Sequence, residues 1–220
     1  MPAREFIQEY LIRRLGGQEV VIGHDYRFGR NREGNIALLQ ALGAELGFPV
    51  HVVDAIQING VIVSSTLIRD LIRDGLVAAA REYLGRPYEV TGDVIPGHGR
   101  GARLLGFPTA NIRSDNELLP ASGIYAVQTE LQGSILPGVA NVGTCPTFGN
   151  KELSLEVYLL DFDQDIYGQR LGVHFIQRLR DERRFSDLTG LVAQIERDVA
   201  AARQIVQPDL IHPQHAELLR

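Results

Sequence analysis

The chain has a single cysteine, Cys145. That excludes a disulfide framework and a cysteine-rich metal site, and it fits a reducing compartment. No apolar run approaches the roughly 18 residues of a membrane span, and the first residues lack the short apolar core of a signal peptide. The expectation is a cytoplasmic protein with no membrane partner. No Lys/Arg block occurs and the formal net charge is −5, so bulk electrostatic binding of nucleic acid is not expected. An anionic small molecule stays open, because arginines can gather around one pocket. The Walker A phosphate loop is missing as well, since no Gly-Lys-[Ser/Thr] follows a strand. Internal repeats and low-complexity segments are also lacking.

What is present is an ordinary globular composition. Of the 220 residues, 45% are hydrophobic and 22% charged, which suits one large or two small domains. Phe6, Ile7, Tyr10, Leu11 and Leu15 recur at helical spacing over residues 4–15. Val20–Gly23 reads as a short buried strand, Ile36–Leu46 as an amphipathic helix, and Val50–Ile58 as a second strand ending at an Asn59-Gly60 turn. Ser64-Ser65 caps a helix through Ile72, and another helix runs to about Leu84. Strand and helix therefore alternate in the first part, as in a parallel α/β sheet. Two strands make a thin parallel sheet, and such sheets normally bury both faces, so this part reads as incomplete.

After Tyr88 the character changes. Tyr88–Ile95, Gly123–Leu131, Ile135–Val142, Leu153–Asp161 and Leu171–Leu179 read as strands separated by turn chemistry, which predicts an antiparallel sheet or small barrel. A last helix, Asp187–Ile205, places Leu188, Leu191, Val192, Ile195 and Val199 on one face. The expected division is residues 1–85, 86–205 and a tail, 206–220.

The stretch Gly97-His98-Gly99-Arg100-Gly101-Ala102-Arg103-Leu104-Leu105-Gly106-Phe107-Pro108-Thr109-Ala110-Asn111 carries the most chemistry. Its glycines let backbone N–H groups approach an anion, and Arg100 and Arg103 can grip phosphate oxygens in fork geometry. Pro108 fixes a turn from which Thr109 and Asn111 offer hard oxygen ligands, as Mg²⁺ prefers. Together they point to nucleotide phosphoryl transfer. A solvated loop followed by a plain turn is the competing reading. In Leu153–Leu159 the odd positions are apolar and face the core, so Glu156 projects outward. An outward strand glutamate is either a solvent-facing charge or a carboxylate placed for chemistry.

Several segments in order resemble the bacterial bifunctional riboflavin kinase/FMN adenylyltransferase family (FAD synthase). They include Gly23-His24-Asp25-Tyr26-Arg27-Phe28-Gly29, Ser64-Ser65-Thr66-Leu67-Ile68-Arg69, Leu84-Gly85-Arg86-Pro87-Tyr88 and Gly106-Phe107-Pro108-Thr109-Ala110-Asn111. Leu119-Pro120, Gly123-Ile124-Tyr125-Ala126, Ala140-Asn141-Val142-Gly143-Thr144, Pro146-Thr147-Phe148 and Leu155-Glu156-Val157-Tyr158-Leu159-Leu160-Asp161-Phe162 complete them. The resemblance runs from about Phe6 to about Gln204. It implies a truncated Rossmann-like α/β nucleotidyltransferase portion, followed by a six-stranded Greek-key antiparallel β-barrel with a C-terminal helix.

The implied activity is ATP-dependent phosphorylation of riboflavin to FMN with Mg²⁺, Mn²⁺ or Zn²⁺ being alternatives. On this resemblance Thr109 and Asn111 hold the metal and the ATP phosphates, Gly97, Arg100 and Arg103 contact the nucleotide, and Glu156 is the base on the ribityl 5′-hydroxyl. Arg180 matches a segment beside the flavin. Ser64, Ser65, Thr66 and Arg69 resemble the phosphate-contacting helix start of nucleotidyltransferases, against which stands a plain serine N-cap.

The family's His-x-Gly-His motif occurs nowhere among the six histidines, so about half of the adenylyltransferase domain is expected to be missing and FAD formation to be lost or very weak. A flavin- or nucleotide-binding fragment without turnover is the alternative, as is a bifunctional enzyme whose missing front is supplied by another chain. Exposed apolar surface on the incomplete half leaves self-association open. Two departures from the family are Cys145, where an arginine or other polar residue is common, and Tyr158, where a histidine is often found.

Overall fold

A computed structural model describes residues 1–97, 106–147 and 150–206, which fall into two compact units, Met1–Val63 and Ser64–Arg220. In the first, helix α1 (Ala3–Phe6) runs on into a π-helical segment, Ile7–Arg14, where a plain α-helix is expected from sequence. Strand β1 (Val20–Gly23) pairs in parallel with β2 (Val50–Val53), with Val20 opposite Val50 and Gly23 opposite Val53. Helix α2 (Ile36–Leu46) lies between them in the chain. Asn35 caps it by accepting from the Leu38 N–H at 2.9 Å, and Gly47 ends it in a left-handed conformation.

This confirms the parallel α/β reading and corrects two details. The strand expected over Val50–Ile58 stops at Val53, and a separate hairpin follows, β3 (Gln57–Ile58) and β4 (Val61–Ile62). Asn59 and Gly60 both take positive φ there, as a two-residue hairpin turn requires. Nor is β1 a buried strand: Ile22 joins the core while Val21 is 63% exposed, because this two-stranded sheet is covered on one face.

In the second unit, β5 (Tyr88–Ile95), β6 (Ala110–Ser114), β7 (Gly123–Leu131), β8 (Ser134–Thr147), β9 (Asn150–Leu159) and β10 (Arg170–Arg180) form a closed, wholly antiparallel barrel. The order around it is β10-β5-β6-β9-β8-β7, closed by β7 against β10. Three consecutive strands, β7-β8-β9, form hairpins, and β6 returns to lie beside β9. This is the Greek-key connection expected. Val90, Val94, Ile112, Val127, Ala140, Val142, Val157 and Val173 fill the interior, with Tyr125 edge-on to Phe175 at 5.2 Å. Alternating inward residues leave Asn111, Glu156 and Asn141 on the outer face.

Two helices precede the barrel, α3 (Ser65–Arg73) and α4 (Val77–Leu84). Ile72, Val77 and Ala80 are fully buried in the same cluster as the barrel interior. Compactness divides the chain at Val63/Ser64, whereas the expected division after residue 85 follows the change from alternating strand and helix to strands.

The last helix, α5 (Leu188–Ile205), starts on Asp187, whose Oδ1 accepts from the Gly190 N–H at 2.7 Å. It packs over the outer face of β7, β8 and β10. Its fully buried residues are Gln194, Asp198 and Ala202, whereas of the expected face Leu191, Val192, Ile195 and Val199 are half-buried and Leu188 is 57% exposed. A polar partner on the barrel explains the shift, and it belongs to the site.

Candidate functional site

Closing the barrel lines up one row of outward residues across five neighbouring strands. Asn111 on β6 faces Glu156 on β9, Glu156 faces Asn141 on β8, Asn141 faces Ile124 on β7, and Ile124 faces Arg180 on β10. Opposed residues in an antiparallel pair share a face. The residues read as Mg²⁺ ligand, base and flavin neighbour thus lie on one belt, although the chain separates them widely.

Asn111 corrects the sequence reading in one respect. The segment after Pro108 is expected to be a rigid turn, yet Ala110–Ser114 is a strand paired with β5 and β9. Thr109 immediately precedes it, and its Oγ1 donates to Glu156 Oε2 at 3.4 Å, long for a hydrogen bond. Gly97 abuts Asn111 so closely that a Cβ there would stand 2.0 Å from Asn111 Nδ2. Four of the predicted residues, Gly97, Thr109, Asn111 and Glu156, are therefore brought together. Arg100 and Arg103 lie outside the described residues.

The belt opens on a cavity of about 260 Å³ whose walls include Phe107, Thr109, Asn141, Glu156 and Tyr158, with Arg180 at the α5 side. Phe107 and Tyr158 meet edge to face at 5.4 Å. Tyr158, one of the two departures from the family pattern, thus forms part of the wall beside Glu156. A second cavity, about 320 Å³, shares Thr109 and is walled by Pro108, Phe162, Asp163, Asp165 and Tyr167. Thr109 therefore belongs to both.

Arg180 is held rather than free. Its Nε and Nη2 donate to the Asp198 carboxylate at 2.7 to 3.0 Å, and Nη1 donates to the Asp181 carbonyl at 2.9 Å. Asp198 also accepts from Gln194 Nε2 at 2.7 Å, and Gln194 in turn accepts from Arg183. The Arg183 guanidinium lies 4.8 Å from the Phe185 ring centroid. This network is why α5 buries a polar stripe: a buried carboxylate requires a charged partner. Sequence reasoning missed Asp198, Gln194, Arg183 and Phe185. The Gln194–Asp198 spacing of one helical turn is their only local signal, and it is a weak one.

Ser64, Ser65, Thr66 and Arg69 are exposed at the start of α3, and line neither cavity. The Ser64 hydroxyl accepts from the Leu67 N–H at 3.2 Å, an N-cap bond.

Comparison with known proteins gives the decisive observation: residues 84–206 match the family model "Riboflavin kinase". The chain belongs to the riboflavin kinase family. Residues 1–67 match the model "FAD synthetase". Relatives named bifunctional riboflavin kinase/FMN adenylyltransferase include those of Pseudomonas fluorescens, 40% identical over 94% of this chain and 67% of its own length, and of Escherichia coli K12, 40% identical over 93% and 65%. That of Bacillus subtilis is 36% identical over 89% and 62%. The chain thus spans about two thirds of the length of the curated relatives it matches. A solved structure titled macrolide-efflux protein, from Streptococcus pneumoniae, is also similar, at 34% identity and a TM-score of 0.78 over 92% of this chain and 65% of that one. As a riboflavin kinase family member, the chain has its Thr109, Asn111 and Glu156 inside the barrel region that the family model covers.

Proposed function

We propose that the chain transfers the γ-phosphoryl group of ATP to the 5′-hydroxyl of riboflavin, giving FMN and ADP. The observation that carries this reading is Thr109, shared by two cavities and reaching toward Glu156 at 3.4 Å. The cavity with Phe107, Tyr158 and Glu156 takes the flavin. The cavity with Pro108, Phe162 and Tyr167 takes the nucleotide, so the transferring group passes beside Thr109.

Glu156 is the base. A hydroxyl is a weak nucleophile at neutral pH, and a carboxylate within hydrogen-bond reach orients it and accepts its proton as the new O–P bond forms. The bond between the γ-phosphorus and the bridging oxygen breaks, and ADP leaves with that electron pair. Positioning and charge stabilisation supply most of the acceleration.

Thr109 and Asn111 offer neutral oxygen donors beside the Glu156 carboxylate, a set suited to Mg²⁺ or Mn²⁺ rather than to a nitrogen- and sulfur-seeking ion. These two side chains would hold the ion, and when bound it offsets the negative charge of the phosphates. Gly97 leaves the space that the Asn111 amide occupies. Arg180, fixed by Asp198, forms the flavin cavity's far wall. On the same reading adenylyl transfer is weak or absent in this chain, which holds no His-x-Gly-His pair, and the protein works in the cytoplasm.

The test is to incubate the purified chain with riboflavin, ATP and Mg²⁺ and to quantify FMN and FAD chromatographically. FMN without FAD is the expected result. Saturable flavin binding with no FMN at any Mg²⁺ concentration would replace the kinase with a binding module.

A further inference from the structure

Asn141 has so far appeared only as a member of the outer belt. It stands directly opposite Glu156 across β8 and β9, and both side chains line the flavin cavity. Its Oδ1 is buried and accepts no hydrogen bond among the described residues. The Nδ2 of the same amide lies toward Gly143, 3.5 Å from where a Cβ on that residue would stand. A carbonyl oxygen hidden from water without a donor is unfavourable, and native structures retain such groups where a bound molecule repairs them.

The cavity wall combines apolar Phe107, Ile124 and Val139 with the potential donors Thr109, Tyr158, Arg180 and Arg183, none of which donates to this oxygen, so a ligand hydroxyl entering the cavity can supply the donor. Opposed residues in an antiparallel pair carry Cβ atoms about 4.5–5.5 Å apart. One extended polyhydroxylated chain can therefore present one hydroxyl to Glu156 and another to Asn141.

We infer that Asn141 Oδ1 accepts a hydrogen bond from a secondary hydroxyl of the substrate's polyol chain, and so selects the intact ribityl chain over one lacking that hydroxyl. This rests on the kinase reading above and goes beyond it, because it assigns a specificity role to a residue that takes no part in the proton transfer. Sites built to bond a hydroxyl reject the analogue without it far more strongly than an apolar pocket can, since the protein's own polar atom is left unpaired.

The test compares riboflavin with flavins deoxygenated singly at each secondary ribityl position. Kd is read from flavin fluorescence and kcat/KM from FMN-type product, for the native chain, Asn141→Leu and Asn141→Asp. The native chain is expected to disfavour one deoxy flavin by about 100-fold or more in kcat/KM, and in Kd in the same direction. Asn141→Leu should bring that flavin level with riboflavin while leaving the other positions unchanged. Asn141→Asp keeps an acceptor and should keep the discrimination. Should Asn141→Leu fail to fold, the native chain and Asn141→Asp still decide.

Equal treatment of all deoxy flavins by the native chain overturns the inference, as does undiminished discrimination in Asn141→Leu or lost discrimination in Asn141→Asp. In each of those cases a native chain that still makes FMN leaves the kinase reading standing. A native chain that binds no flavin removes the kinase reading, and this inference with it.

Discussion

Gly97 and Asn111 occupy adjoining space so completely that a Cβ on Gly97 would stand 2.0 Å from Asn111 Nδ2 and 2.6 Å from its Cγ. The glycine is needed here for room, not for a left-handed backbone. Gly97→Ala should displace the Asn111 amide and with it one proposed ligand of the metal–nucleotide complex. The expected outcome is a fall of about 10- to 100-fold in kcat/KM for ATP, the scale seen when the groups that orient metal ligands are disturbed. Riboflavin binding and melting temperature should change little. Steady-state kinetics with ATP and Mg²⁺ varied independently check this.

Glu156 is the proposed base, and Glu156→Gln keeps its size while removing its ability to take a proton. General-base contributions run to about 10²–10⁴-fold, and kcat should fall by that order with KM for riboflavin nearly unchanged. A variant that retained full rate would take Glu156 out of the mechanism. Single-turnover measurement of FMN formation separates this step from product release.

Some of this was legible in the chain and some was not. Leu155, Val157 and Leu159 alternate, and that period alone puts Glu156 on the outer face. It could not say that α5 and Phe107 turn this part of the outer face into a cavity wall. Pro108 makes the residues after it read as a turn, whereas Asn111 lies in a strand. Its strand exists only through pairing with β5 and β9, partners distant in sequence. Asp198 was invisible for the same reason. Its burial is decided by Arg180 on β10, whereas the helical pattern of leucine and valine pointed to a neighbouring stripe.

The Arg180–Asp198 pair leads to a stability prediction. Asp198 is 5% exposed and receives Arg180 through two nitrogens. Removing one member of a buried pair leaves the other charge uncompensated, at a cost of about 3–5 kcal/mol. Asp198→Ala should lose stability on that scale and also weaken riboflavin binding, because α5 forms part of the proposed flavin cavity. Replacing both residues, Arg180→Met with Asp198→Leu, should recover much of the stability but not the binding. Urea denaturation and flavin titration of the three variants distinguish the two effects.

His174 gives the chain a pH dependence whose direction is fixed. Burial holds its pKa below the usual value of 6.5, only partly opposed by the carboxylates of Glu89 and Glu130, while Arg86 adds to the lowering. Its Nε2 is buried, with Glu130 Oε2 at 3.9 Å. In the unfolded chain the imidazole protonates first as pH falls, so over that interval the unfolded state binds more protons than the folded one. Stability therefore rises with pH across this interval. The contribution is complete above 6.5 and is lost progressively as pH falls through 6.5 toward the lower folded value. Denaturant midpoints measured from about pH 7.5 down to about pH 5.5 should decline for the native chain. His174→Asn, which cannot take up a proton in that window, should flatten the decline. A native chain whose midpoint stays level, or a His174→Asn variant that declines just as steeply, would show that another group sets the acid sensitivity.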